Sequence, residues 1–150
     1  MHQRAFLGTS VNVWLALVIS LGAGCAAPAV DRGLPEAAFR TFAVNYKDMM
    51  LAGCIARAYK AAPEATKDAH FSVSAFNEWT RYDAENAAGV NVRIIDRYLA
   101  RTYHAKEADD VRLDLLKCFD MYHSAELEAQ VKQYVDRPSA TYADDEENGE

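Results

Sequence analysis

The stretch Leu115-Leu116-Lys117-Cys118-Phe119-Asp120-Met121-Tyr122-His123-Ser124 decides the fold, together with its continuation Ala125-Glu126-Leu127-Glu128-Ala129-Gln130-Val131-Lys132-Gln133-Tyr134. Apolar residues recur at helical spacing on both sides of a Tyr-His-Ser break. Val111, Leu115, Cys118, Phe119 and Tyr122 predict one helical stripe. Leu127, Val131 and Tyr134 predict a second, with Ser124 as its N-cap and Pro138 as its stop.

Upstream the same period continues. Pro35 suits the first turn of a helix and Glu36 favours its positive end. That helix is expected to run through Phe39, Phe42, Tyr46, Met50, Cys54 and Ala58 to the Ala61-Ala62-Pro63 break. Gly53 inside it costs about 1 kcal/mol relative to Ala, which a close helix–helix contact would explain. Pro63-Glu64 opens a second helix carrying Ala69, Val73, Phe76 and Trp79. A third begins near Ala84-Glu85 and presents the stripe Val92, Ile95, Leu99 and Tyr103. The polar run from His104 to Asp110 reads as a loop, with Asp109 or Asp110 capping the next helix. No strand-grade alternation, repeat or second domain is found beyond the N-terminal segment. The expectation is an all-α, compact bundle of four to five helices.

The N-terminus reads as a secretory signal. Arg4 supplies a small positive region, residues 11–21 an apolar core, and Ala27-Pro28-Ala29 a cleavage pattern before Val30. The expected organisation is a signal peptide at 1–29, a helical domain at 30–137 and an acidic disordered tail at 138–150. Cys25 admits a second reading, a lipidated cysteine, although Gly22 stands where an aliphatic residue is usual.

The chain carries 16 Lys+Arg against 22 Asp+Glu, a formal net charge of −6. Cleavage removes only Arg4 among the charged side chains, so the processed chain is more acidic still. That balance argues against nucleic acid and against an anionic membrane surface, and suits a cationic partner. Cleavage also leaves two cysteines, Cys54 and Cys118. In an oxidising compartment such a pair is most simply an intramolecular disulfide; the other reading is two buried free thiols. The disulfide would close a loop of about 65 residues, worth about 4 kcal/mol on the chain-entropy view.

Chemistry-bearing motifs are sparse. The histidines are His2, His70, His104 and His123, and neither a His-x-x-x-His nor a Cys-x-x-Cys pair occurs. A Gly-rich phosphate loop and Gly-x-Ser-x-Gly are also missing from the sequence. The best enzymatic candidate is Asp120 with His123 and Ser124, which helical spacing puts near one face. The plainer reading of those three is an exposed polar face and a helix cap. The aromatic residues Tyr46, Tyr59, Phe76, Trp79, Phe119 and Tyr122 read as core rather than as a ligand pocket. The loop of residues 103–110 can equally be a solvated connector or a binding element on a rigid scaffold.

Two blocks carry a family resemblance. Asn45-Tyr46-Lys47-Asp48-Met49-Met50-Leu51-Ala52-Gly53-Cys54-Ile55-Ala56-Arg57-Ala58-Tyr59 resembles the first helix of the type VI secretion amidase immunity proteins, family four. Leu116-Lys117-Cys118-Phe119-Asp120-Met121-Tyr122-His123-Ser124-Ala125-Glu126-Leu127 resembles that family's C-terminal signature of Leu-Lys-Cys followed by Tyr-His-Ser. The similarity runs over residues 40–135, strong at the two ends and weak across 64–110. It implies a periplasmic all-α homodimer without catalysis or cofactor. Such a protein binds and occludes the groove of a cognate peptidoglycan amidase effector, a Cys–His hydrolase. With the loop as the plug, the expected effector-binding residues are Tyr103, His104, Lys106, Glu107, Asp109 and Asp110. The rival readings are a lipid-anchored envelope protein held by Cys25, and a small periplasmic enzyme using Asp120 and His123.

Overall fold

Thr41 decides where the bundle begins. In the computed structural model, which describes residues 33–149, its hydroxyl accepts from the Val44 N–H and its extended backbone starts helix α1, Phe42–Ala58. The helix expected from Pro35 is therefore broken. Glu36–Phe39 form a single 3-10 turn, and Arg40 is extended before the cap. The signal segment and Cys25 lie outside the described residues.

Five more helices follow: α2 Pro63–Glu78, α3 Ala84–Leu99, α4 Asp114–Tyr122, α5 Ala125–Tyr134 and α6 Tyr142–Asn148. Pro63 takes the first turn of α2, Asp83 caps α3 and Ser124 caps α5, as their side-chain chemistry suggests. Among the described residues there is no strand, only isolated bridges. The architecture is all-α, with α1 at the centre touching α2, α3, α4 and α5.

The core is built on α1. Phe42, Tyr46, Met49, Met50 and Cys54 meet Ile94, Ile95 and Tyr98 of α3, Cys118 and Met121 of α4, and Leu127 and Val131 of α5. Cys54 and Cys118 form a disulfide, S–S 2.04 Å, buried on both sides. The Tyr46 ring packs edge-on to Tyr82, and its hydroxyl donates to Asn91 Oδ1 at 2.7 Å. Burial raises the Tyr46 pKa, so the phenol is neutral at any physiological pH.

Two apolar faces differ from expectation. In α3 the buried set is Ala87, Ile94, Ile95 and Tyr98; Val92 is exposed, and Tyr103 lies beyond the end of the helix. Helix α4 starts at Asp114, not after Asp109 or Asp110, with Leu113 at its N-cap in a left-handed conformation, φ 51°. Its buried side chains are Lys117, Cys118 and Met121, whereas Val111, Leu115, Leu116 and Phe119 are exposed. The disulfide turns Cys118 toward α1, and at 100° per residue Met121 follows it inward while Leu116 is carried outward.

The expected disordered tail contains α6. The first N–H groups of a helix lack intrahelical acceptors. In α1, Phe42 N–H donates to Ala140 O at 2.8 Å and Ala43 N–H to Pro138 O at 3.0 Å, which pins the tail to the helix start. Thr141 and Asp144 then make a reciprocal capping box for α6. The buried carboxylate of Asp145 is held by Arg81 and Arg137. Local polarity favours disorder, but these long-range partners override it.

Candidate functional site

The chain leaves α3 at Leu99 and re-enters helix at Asp114. The connection between them carries every effector-binding candidate read from the sequence. His104, Lys106, Glu107, Asp109 and Asp110 are exposed, and Tyr103 is half-buried. A tight reversal marked by the Ala105–Ala108 bridge and a Val111 N–H to Ala108 O bond of 3.1 Å puts Lys106 and Glu107 at the tip. The structure thus places these residues together on one connection between α3 and α4.

The base of this loop is fixed by aromatic and charged contacts. The Arg101 guanidinium lies 3.6 Å from the centre of the Tyr98 ring. A hydrogen bond with Tyr103 raises the Arg101 pKa further, so its charge is permanent. The Tyr103 hydroxyl donates to the Asp120 carboxylate on α4. Lys117 is only 3% exposed. Its ammonium donates to Leu99 O at 3.3 Å and to Asp114 Oδ1 at 2.8 Å. Beneath the loop lies an open cleft of about 350 Å³ lined by Leu99, Arg101, Tyr103, His104, Asp109 and Lys117, among others.

Sequence reading missed three things here. Lys117 has no role in that reading, and it is a buried cation bridging two helix ends. The signal was present: a lysine between Leu116 and Cys118 either snorkels or finds a carboxylate, and Asp114 stands three residues before it. The second is the apolar surface beside the loop, where Tyr59, Val111, Leu115, Leu116 and Phe119 line an open groove. The third is that Asp120 supports the loop through Tyr103.

The alternative catalytic trio is not assembled. Asp120 accepts from Tyr103, His123 packs edge-on to Tyr122 with centroids 5.0 Å apart, and Ser124 is occupied as a cap. The Ser124 hydroxyl accepts from Leu127 N–H at 3.1 Å and donates to Met121 O at 2.7 Å. Of the aromatic residues expected in the core, Tyr46 is fully buried, whereas Tyr59 and Phe119 are exposed. Among the described residues no group of His, Cys, Asp and Glu is placed to hold a metal, and no helix is long and apolar enough to cross a membrane.

The geometry is that of a disulfide-tied helical scaffold with one polar loop anchored at its base. Residues 44–131, more than half of the chain, match the family described as type VI secretion system (T6SS), amidase immunity protein. The chain belongs to that family. A solved structure from the work "New Type VI-secreted toxins and self-resistance proteins in Serratia marcescens" superposes with a TM-score of 0.68 at 23% identity, covering 85% of this chain and 99% of that one. At that identity the likeness concerns the fold. No curated protein matches the chain.

Proposed function

We propose that this protein acts in the periplasm as the immunity partner of a type VI secreted peptidoglycan amidase, and protects the producing cell by binding the enzyme and occluding its active-site groove. The observation that carries the reading is the family match over residues 44–131, which contains the whole α3–α4 loop. The loop is the proposed contact element, with His104, Lys106, Glu107, Asp109 and Asp110 exposed on it and Tyr103 half-buried at its base. Its acidic end and the net charge of −6 suit a cationic enzyme surface.

The apolar N-terminal segment and the Ala27-Pro28-Ala29 pattern support export, and the Cys54–Cys118 disulfide fits an oxidising compartment. The active species is taken to be a homodimer of residues 30–150, acting by occupancy and not by catalysis. Lipidation at Cys25 would place the same domain at a membrane surface.

The test is inhibition. The protein, purified oxidised, is titrated into the amidase encoded beside it while peptidoglycan hydrolysis is followed. Stoichiometric loss of activity is expected. Full activity at large excess, with an amidase of the same family tested in parallel, would overturn the reading. Intact-mass analysis of the membrane fraction separates a free N-terminus at Val30 from a lipidated Cys25.

A further inference from the structure

The two ends of the candidate loop meet at one buried side chain. Leu99 is the last residue of α3, so its carbonyl is among those that a helix end leaves without an intrahelical donor. Asp114 is the first residue of α4. Lys117 Nζ reaches both, 3.3 Å from Leu99 O and 2.8 Å from Asp114 Oδ1. The lysine backbone adds a third tie, its N–H donating to Leu113 O at 3.2 Å. Leu113 is the left-handed residue through which the loop enters α4.

The bracket is stiff because it is buried. An ammonium taken out of water is tolerated only where acceptors replace its hydration. Lys117 has two, one from each end of the loop. Its own position is covalently supported, since the next residue, Cys118, is bonded to Cys54 of α1. The Tyr103 ring centre lies 5.9 Å from the same ammonium, and its hydroxyl is tied to Asp120 one turn further along α4. Helix α4 therefore holds the loop at its two ends through Lys117 and near its start through Asp120.

We infer that Lys117, with Asp120 in support, is the positioning residue that keeps loop 100–113 in its binding shape before any partner arrives. The inference rests on the proposed role of this loop in amidase binding. A loop that is already ordered loses less freedom on association than one ordered by the encounter. Where only a fraction of molecules holds the competent shape, the apparent dissociation constant rises by the inverse of that fraction.

Two variants test this: Lys117→Met, which keeps the buried stem without the charge, and Asp120→Ala at an exposed position. For each, amide hydrogen exchange is measured across residues 100–113 in the free protein. Association and dissociation rates are then measured against the amidase used in the inhibition assay. Exchange in the loop is expected to accelerate while amides of α1 and α5 keep their protection. The dissociation constant is expected to rise about tenfold, mainly through slower association, if one molecule in ten keeps the competent loop. Should Lys117→Met fail to fold, Asp120→Ala reads the same loop. Unchanged loop exchange in a folded variant would overturn the inference, as would faster exchange with unchanged affinity. Wild-type protein that does not bind the amidase at all would instead overturn the functional reading beneath it.

Discussion

The carboxylate of Asp145 in α6 is bound by the guanidinium of Arg137 at 2.9 Å, and Arg81 from the α2–α3 turn takes the same oxygen. One acidic residue of the C-terminal segment thus joins three separate parts of the chain. Arg81 and then Arg137 lower its pKa, with burial opposing them. A carboxylate whose folded pKa is depressed contributes stability that is complete above its unfolded value, about 3.9, and lost as pH falls through the folded value. The docking of α6 should therefore weaken in acid below that point. Thermal melts from pH 7 down to 3 should show a steeper acid loss for wild type than for Asp145→Asn, which should already be destabilised at pH 7. Equal acid slopes would remove Asp145 from the account.

The Cys54–Cys118 bond spans a sequence separation of 64. The chain-entropy relation assigns about 4 kcal/mol to a loop of that size. Urea titration with and without reductant, repeated on the Cys54→Ala/Cys118→Ala double variant, should show a loss of that order. A change below about 1 kcal/mol would mean that the reduced chain retains the same constraint by other means.

The two faces of α4 should respond oppositely to truncation. Met121 is fully buried, and replacing it with Ala should cost about 2–5 kcal/mol. Leu116 is 47% exposed, and the same substitution there should cost only a fraction of that, about 0.5 kcal/mol in an isolated subunit. A large loss at Leu116 would show that its face is covered, and concentration-dependent melting would identify a second copy as the cover.

Gly53 faces α2 and α3. A methyl group there would meet Ile95 Cδ1 at 3.4 Å and Val73 Cγ2 at 3.8 Å, ordinary contact distances. Gly53→Ala should stabilise α1 by up to about 1 kcal/mol through helix propensity. Destabilisation of that size would mean that α2 and α3 cannot yield to the extra methyl group.

Asp109 and Asp110 are exposed on the candidate loop. Changing both to Asn should weaken binding of a cationic amidase several-fold, about 1 kcal/mol in all, chiefly by slowing association, and should flatten its salt dependence. Unchanged affinity and salt slope would take these two carboxylates out of the interface.

Much of the fold is legible in the one-dimensional pattern. Pro63 and Ser124 announce helix starts because their chemistry acts within one turn. Cys54 and Cys118, which the sequence pairs most simply, are bonded. The Leu-Lys-Cys and Tyr-His-Ser block marked the family, and the exposed loop lies where the polar run from His104 to Asp110 put it. Other features were not legible. Leu115 and Phe119 fit an apolar stripe as well as Met121 does, so periodicity alone cannot choose the inward face of so short a helix. The run Asp144-Asp145-Glu146-Glu147 looks like a solvated tail until Arg81, far upstream, meets it.

By itself, then, the sequence determined what acts over a few residues: helix periods, caps, the cysteine pair and the polar loop. Only the tertiary structure decided which side of α4 is core, that α6 docks, and that Lys117 brackets the loop. The reason is physical. Caps and propensities are local energies, whereas a buried charge or an ordered acidic helix depends on partners that the chain brings near only by folding.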